Sequence, residues 1–202
     1  SGAQWLYGGE GNDTIFGGTD VDNVWGDGGN DYIHGLGGND TLKGGDGNDQ
    51  INTGSGEDHA FGESGDDNIN GVLNSDGTYR YSESSGTQWL YGGEGNDTIF
   101  GGTDVDNIEG GTGNDYLSGL EGNDVINGGE GEDELWGDEG NDTLKGGDGN
   151  DQINTGSGED HAFGESGDDN INGVLNSDGT YRYSESSGTQ WLYGGEGNDT
   201  IF

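Results

Sequence analysis

A nine-residue unit recurs seventeen times along this chain, with Asp at its sixth position and a small hydrophobic residue at its eighth, as in Gly8-Gly9-Glu10-Gly11-Asn12-Asp13-Thr14-Ile15-Phe16. A period this short leaves each unit only one way to bury its apolar residue, which is against the next copy. The chain therefore reads as a stack of like turns rather than as separate helices and strands. Every turn brings one carboxylate to the same place in the stack.

Units run unbroken over residues 8–70 and 92–172, and one more occupies 194–202. Two identical interruptions, 71–91 and 173–193, each read GVLNSDGTYRYSESSGTQWLY. Their second halves keep the frame: Gly86 stands at position four, Gln88 replaces the Asp at six, and Leu90 is the aliphatic residue at eight. Their first halves open so that Asp76 stands sixth, ahead of a bulge around Gly77. Both interruptions therefore read as decorated repeats, and residues 1–202 as a single continuous solenoid. Residues 38–100 are identical to 140–202, and the first sixteen residues match the last sixteen except for Ala3 against Thr189. So regular a duplication reads as a window on a longer array.

With 24% hydrophobic residues, 50 Gly, no Pro and a net charge of −38, the composition is that of a disordered polymer. One aliphatic anchor per nine residues does not offset the entropy of ordering those nine, several of them glycine. A further favourable term is needed. Forty-two acidic residues against four basic ones, Lys43, Arg80, Lys145 and Arg182, repel nucleic acid and anionic membranes alike, so a multivalent cation is the natural partner. The lack of Cys removes disulfides and thiolate metal chemistry. Apolar runs of three or four residues, such as Trp89-Leu90-Tyr91, rule out insertion across a bilayer and a signal-peptide core.

No catalytic constellation is legible. The Gly-x-Gly strings lack the preceding buried strand and following helix of a phosphate loop. His34, His59 and His161 stand alone at outward positions, and no Ser or Thr has a His and an acid at a suggestive spacing. The chain reads as a non-enzyme. An ice-binding face is disfavoured because position seven carries Thr14, Asn23, Tyr32, Thr41, Gln50, His59 and Asn68, with no Thr ladder.

Glycines at positions one, two and four predict a turn over the first six residues, through their access to positive φ. The last three residues predict a short strand whose central side chain points inward. Two units then make an 18-residue coil. The expected architecture is an all-β parallel β-roll with two facing, short-stranded parallel sheets and turn n stacked on turn n+2, about 4.8 Å away. Asp20 and Asp104 replace Gly at position four and are expected in the left-handed region, which Asp tolerates. Ala60 and Ala162 thin the core just before each interruption.

Stacked turns gather two carboxylates and several carbonyls around a common point. Such an all-oxygen cage suits Ca²⁺ better than Mg²⁺ or Zn²⁺. Without the metal the carboxylates repel, so folding and metal binding are expected to be one event.

These repeats resemble the calcium-binding nonapeptides of RTX proteins, GGxGxDxUx, over nearly the whole chain. The resemblance implies a calcium-loaded β-roll, secretion from a bacterium in unfolded form, and folding in the calcium-rich extracellular space or at the cell surface. It assigns the ligand carboxylates to Asp13, Asp22, Asp31, Asp40, Asp49, Asp58 and Asp67 in the first block. In the second block they are Asp97, Asp106, Asp115, Asp124, Asp133, Asp142, Asp151, Asp160 and Asp169, with Asp199 in the last unit. Pairing each unit with the one two ahead within a block gives about twelve Ca²⁺ sites, and up to about sixteen if Asp76 and Asp178 contribute.

Two functions follow. One is a calcium-rigidified structural segment of a secreted surface adhesin, extracellular filament or matrix protein. The other is a C-terminal secretion and folding module of a toxin, protease or lipase. Outward aromatics at position nine (Phe16, Trp25, Phe61, Phe100, Trp136, Phe163, Phe202) and position seven (Trp89, Trp191) are expected to shield the sheet and pack on the Tyr79-Arg80-Tyr81 bulge. Lateral self-association through them is the alternative.

Overall fold

The aliphatic residue at position eight of each unit turns inward while positions seven and nine face out, and this alternation builds the whole architecture. In a computed structural model describing residues 2–73, 79–81, 84–175, 181–183 and 188–202, these anchors form one continuous core. Val24, Ile33, Leu42, Ile51, Ile69, Leu90, Ile99 and their later counterparts are fully buried, with Leu6, Ile15 and Leu192 packed against them at the two ends. Ala60 and Ala162 are buried in the same row, Ala60 between Leu42 and Leu90.

The chain is all-β, with no helix among the described residues. One ten-stranded parallel sheet, called sheet one here, runs in order through Trp5–Glu10, Asn23–Gly28, Thr41–Asp46, Asp58–Ser64, Gln88–Glu94, Asn107–Thr112, Val125–Glu130, Thr143–Asp148, Asp160–Ser166 and Gln190–Glu196. Sheet two, also ten-stranded and parallel, runs through Thr14–Gly18, Tyr32–Gly37, Gln50–Ser55, Asn68–Ile69, Thr98–Gly102, Tyr116–Leu120, Glu134–Trp136, Gln152–Asn154, Asn170–Ile171 and Thr200–Ile201. Residues pair 18 apart, as in Leu6 with Val24 and Ile15 with Ile33, which is the two-unit coil of a β-roll.

The strands are longer than the three residues expected. Most extend from position seven through position three of the next unit, so the turn proper is confined to positions four to six. Within them the ladder register passes through positions seven, eight, nine, two and three and leaves out position one. That gap recurs at every coil of sheet one and frames the acidic turns.

The interruptions are built differently from the expected pair of decorated repeats. Gly71–Leu73 pairs antiparallel with Tyr79–Tyr81 in a small sheet of its own, outside both ten-stranded sheets. Across this arm the register offset rises from 18 to 30 residues: Gln88 faces Asp58, and Ser85 bridges Ser55. The excess of twelve means that each interruption is one regular unit preceded by a twelve-residue insertion. Gly71–Leu73 is thus not the opening of a turn, and Asp76 and Asp178 lie outside the described residues. The second arm, Gly173–Leu175 with Tyr181–Tyr183, repeats the arrangement.

At the base of the first arm an amide side chain stands in for the missing stretch of ladder. Asn70, held at a φ of 59°, accepts at Oδ1 from the Thr53 amide and hydroxyl and donates from Nδ2 to the Phe100 carbonyl. Thr155 and Asn172 make the matching pair at the second arm.

The aromatics stack on one another from coil to coil. Tyr7 lies on Trp25, Phe61 on Tyr91 and Phe163 on Tyr193, with centroids 4.7 to 5.0 Å apart. His59 and His161, expected to be solvated, are exposed at one face and stacked on Trp89 and Trp191 at the other. Most of these rings lie on sheet one. The side chains of Tyr79, Arg80 and Tyr81, the expected packing partners, are outside what the structure describes.

Candidate metal centre

The sixth-position aspartates fall into two columns, one along each edge of the roll. Leading into sheet two the column is Asp13, Asp31, Asp49, Asp67, Asp97, Asp115, Asp133, Asp151, Asp169 and Asp199, with no break. Leading into sheet one it is Asp22, Asp40, Asp58, then Gln88, then Asp106, Asp124, Asp142 and Asp160, then Gln190. Fifteen of these seventeen aspartates are buried, and Asp13 and Asp199 at the two ends are partly exposed.

Every carboxylate after Asp13 is held by the coil before it. Oδ1 accepts from the backbone N–H of the aspartate one coil earlier, as Asp40 does from Asp22 and Asp115 does from Asp97. Nine such bonds run along the sheet-two column, at 2.7 to 2.9 Å except for 3.2 Å at Asp199. Five run along the sheet-one column at 2.8 to 2.9 Å. Carboxylates therefore succeed one another in fourteen steps, two more than pairing within blocks gave. The added steps are Asp67 to Asp97 and Asp169 to Asp199, which span the interruptions.

The other carboxylate oxygen is the telling one. Oδ2 is buried without a hydrogen-bond partner in sixteen of the seventeen aspartates. A buried anionic oxygen left unpaired is costly, and a regular series of them marks a place where a positive charge belongs. Outside the units that open with Thr53 and Thr155, each lies beside the glycine at position one of its own unit, and, as at Gly8 and Gly17, near the position-one carbonyl of the next coil. A β-carbon added to Gly8 would stand 2.7 Å from Asp13 Oδ2 and 2.8 Å from the Gly26 oxygen; one on Gly17 would stand 2.7 Å from both Asp22 Oδ2 and the Gly35 oxygen. An aspartate oxygen and a carbonyl of the next coil thus face the same side of each of these glycines, closer than a side-chain carbon could be tolerated.

This revises the expected role of the glycines. Position two takes positive φ except at Gly18 and Gly102, and position four wherever it is glycine, but position-one Gly8, Gly17, Gly26 and Gly35 do not; position one is glycine because a side chain would fill the oxygen-lined space. Nor do Asp20 and Asp104 adopt the left-handed conformation expected of them. The non-glycine residues with positive φ are instead mostly at position two: Asp27, Leu36, Glu63, Leu120, Asp138 and Glu165.

Burial, opposed by the backbone hydrogen bond and reinforced by the neighbouring carboxylates, raises the acids' proton affinity. Asp67 and Asp106 are pushed up to about 8, Asp40, Asp115, Asp142 and Asp151 to about 7, and Asp49, Asp97 and Asp124 to about 6. Among the described residues no three acidic or histidine side chains converge on one point. Each step offers two carboxylates, and backbone carbonyls supply the remaining oxygens. With hard oxygen donors in a flexible turn, the donor set fits Ca²⁺ rather than a transition metal.

Position five holds a feature the sequence reading passed over. Its Asn Oδ1 accepts from the backbone N–H one coil later, as Asn12 does from Asn30, Asn30 from Asn48, and Asn114 from Glu132. This runs opposite to the aspartate ladder, so where position five is Asn the turn is tied to the coil after it as well as the one before. The recurrent Asn-Asp pair was the visible signal.

The family model described as RTX calcium-binding nonapeptide repeat (4 copies) matches residues 1–33, 25–60, 34–69, 43–76, 84–117, 109–144, 145–178 and 186–202. A search of curated proteins finds no match to the chain.

Proposed function

Because this chain belongs to the family of RTX calcium-binding nonapeptide repeats, we propose that it is a calcium-rigidified rod, a structural segment of a secreted bacterial adhesin, filament or matrix protein. In this reading the chain is one continuous roll over 1–202. The ligands are the seventeen sixth-position aspartates, which hold Ca²⁺ in the fourteen steps between stacked carboxylates together with position-one carbonyls such as that of Gly26. Bound calcium supplies the charge neutralisation that burial denies these acids. Fourteen ions carry +28 against the net −38 of the chain.

The observation that carries this reading is the series of buried, partnerless Oδ2 atoms, all but those of Asp58 and Asp160 facing a position-one glycine. The chain's own residues prepare that space. Backbone N–H groups fix Oδ1, position-five Asn ties the turn to its neighbours, and the aliphatic row keeps the coils in register. A structural role is supported by the spacing of the coils: ten strands at about 4.8 Å make a rod about 43 Å long, and the long internal duplication repeats one rod segment in the next.

Circular dichroism and small-angle scattering, with calcium and with a chelator, test the proposal. The expected outcome is a β-rich rod in calcium and an expanded coil without it, with a radius of gyration on the order of 50 Å for an unfolded chain of this length. A rod that persists in chelator at pH 8 would overturn it.

A further inference from the structure

The sheet-one column is interrupted at Gln88 and again at Gln190, in the unit that follows each arm. Gln88 is fully buried, and its side chain does not simply fill the space of an aspartate. Its Nε2 donates to the carbonyls of Gly56 and Gly86, each at 3.0 Å, and lies 3.4 Å from the carbonyl of Ser85. Three carbonyls thus face a single nitrogen, one more acceptor than its two hydrogens can satisfy.

Gly56 and Gly86 are the position-four glycines of successive coils. In acidic turns the same carbonyl faces a carboxylate: a β-carbon on Gly122 would meet both the Asp104 carbonyl and, at 2.6 Å, Asp124 Oδ1. The oxygens around the Gln88 amide are therefore those of an ordinary turn with one carboxylate removed and an N–H donor put in. Gln190 repeats this, donating to the Gly158 carbonyl at 3.1 Å.

We infer that Gln88 and Gln190 are built-in cation surrogates, whose amide nitrogens engage position-four carbonyls of the stacked turns and make the coil at each arm a metal-free joint. The inference rests on the calcium reading of the aspartate columns and adds where that column stops. Along the sheet-one edge the ions form separate runs, Asp22 to Asp58 and Asp106 to Asp160, while the opposite edge is continuous. Each arm therefore emerges beside a coil whose sheet-one edge carries an amide where the other coils carry a carboxylate.

Counting bound Ca²⁺ by native mass spectrometry tests this. The wild-type chain is expected to bind fourteen ions, and Gln88→Asp to bind two more, in the steps from Asp58 and to Asp106. Seventeen ions on the wild type, or no gain in a folded Gln88→Asp chain, would overturn the inference. A wild type that binds no calcium would instead overturn the functional reading beneath it. Gln88→Ala keeps the test decisive if the new carboxylate prevents folding. It removes the donor without adding an acid, so its ion count should stay at fourteen while its melting temperature in saturating calcium falls. An unchanged melting temperature would count against the surrogate.

Discussion

At the scale of single residues, glycine serves two physically separate purposes here. At positions two and four it supplies positive φ, a role that Leu36 and Glu63 also fill at a cost in strain. At position one it supplies absence, because the space its side chain would take is bounded by Asp Oδ2 and a carbonyl of the next coil. Gly101→Ala is therefore expected to destabilise the calcium-bound fold by about 1–3 kcal/mol, the usual range for overpacking. Its β-carbon would stand 2.6 Å from both Asp106 Oδ2 and the Gly119 carbonyl. Calcium-dependent folding followed by circular dichroism should show a higher midpoint and native mass spectrometry one ion fewer. Gly28→Ala, whose β-carbon would lie 3.6 Å from its nearest neighbour, Glu10 Oε2, should leave both unchanged. Equal effects of the two substitutions would remove the distinction. Thr53 and Thr155 are natural exceptions at position one, and there the hydroxyl is bonded to Asn70 or Asn172.

At the scale of elements, the arms are additions to the coil rather than parts of it. The chain leaves the ladder at Asn70 and is back in register by Ser85, and between those points the offset grows by twelve residues. Deleting residues 71–82 joins Asn70 to Glu83 and restores an 18-residue offset. The shortened chain is expected to fold in calcium with an unchanged ion count and a melting temperature close to that of the parent. Loss of two or more ions would show that the arm takes part in the metal sites. The strands themselves show why part of this was hidden from the sequence. The frame over 83–91 was legible from Gly86, Gln88 and Leu90. The frame over 71–79 was a coincidence of Asp76 with the count of six, which pairing of Gly71–Leu73 with Tyr79–Tyr81 overrides.

At the scale of the whole molecule, the two acid columns couple stability to pH and metal together. The folded-state proton affinities of Asp67, Asp106, Asp115 and their neighbours are raised above the ordinary aspartate value near 4 to about 6–8. Between those limits the folded chain binds more protons than the unfolded one, so metal-free stability falls as pH rises. It is fully present below about pH 4 and is lost as the pH passes through 6 to 8. In chelator, lowering the pH from 8 to 4 is accordingly expected to restore β-structure that calcium would otherwise be needed to hold. Circular dichroism across that range checks the sign, and a chain that instead loses β-structure on acidification would contradict it. In calcium the dependence reverses, because protons compete with the ion for the same carboxylates.

What the sequence determined by itself was everything that repeats: the coil of two nine-residue units, the inward row from Val24 to Ile171, the acid brought to one edge of every turn, and the family. These follow from a period and from the alternation of side chains along a strand, which are local properties. The tertiary structure alone decided what depends on residues 18 or 30 positions apart. It set the Asp67-to-Asp97 step across the arm, the exclusion of side chains at position one, the Asn70 bridge, and the Gln88 amide standing among carbonyls of two coils. Such contacts are made only when one coil lies on another, and no count along the chain contains them.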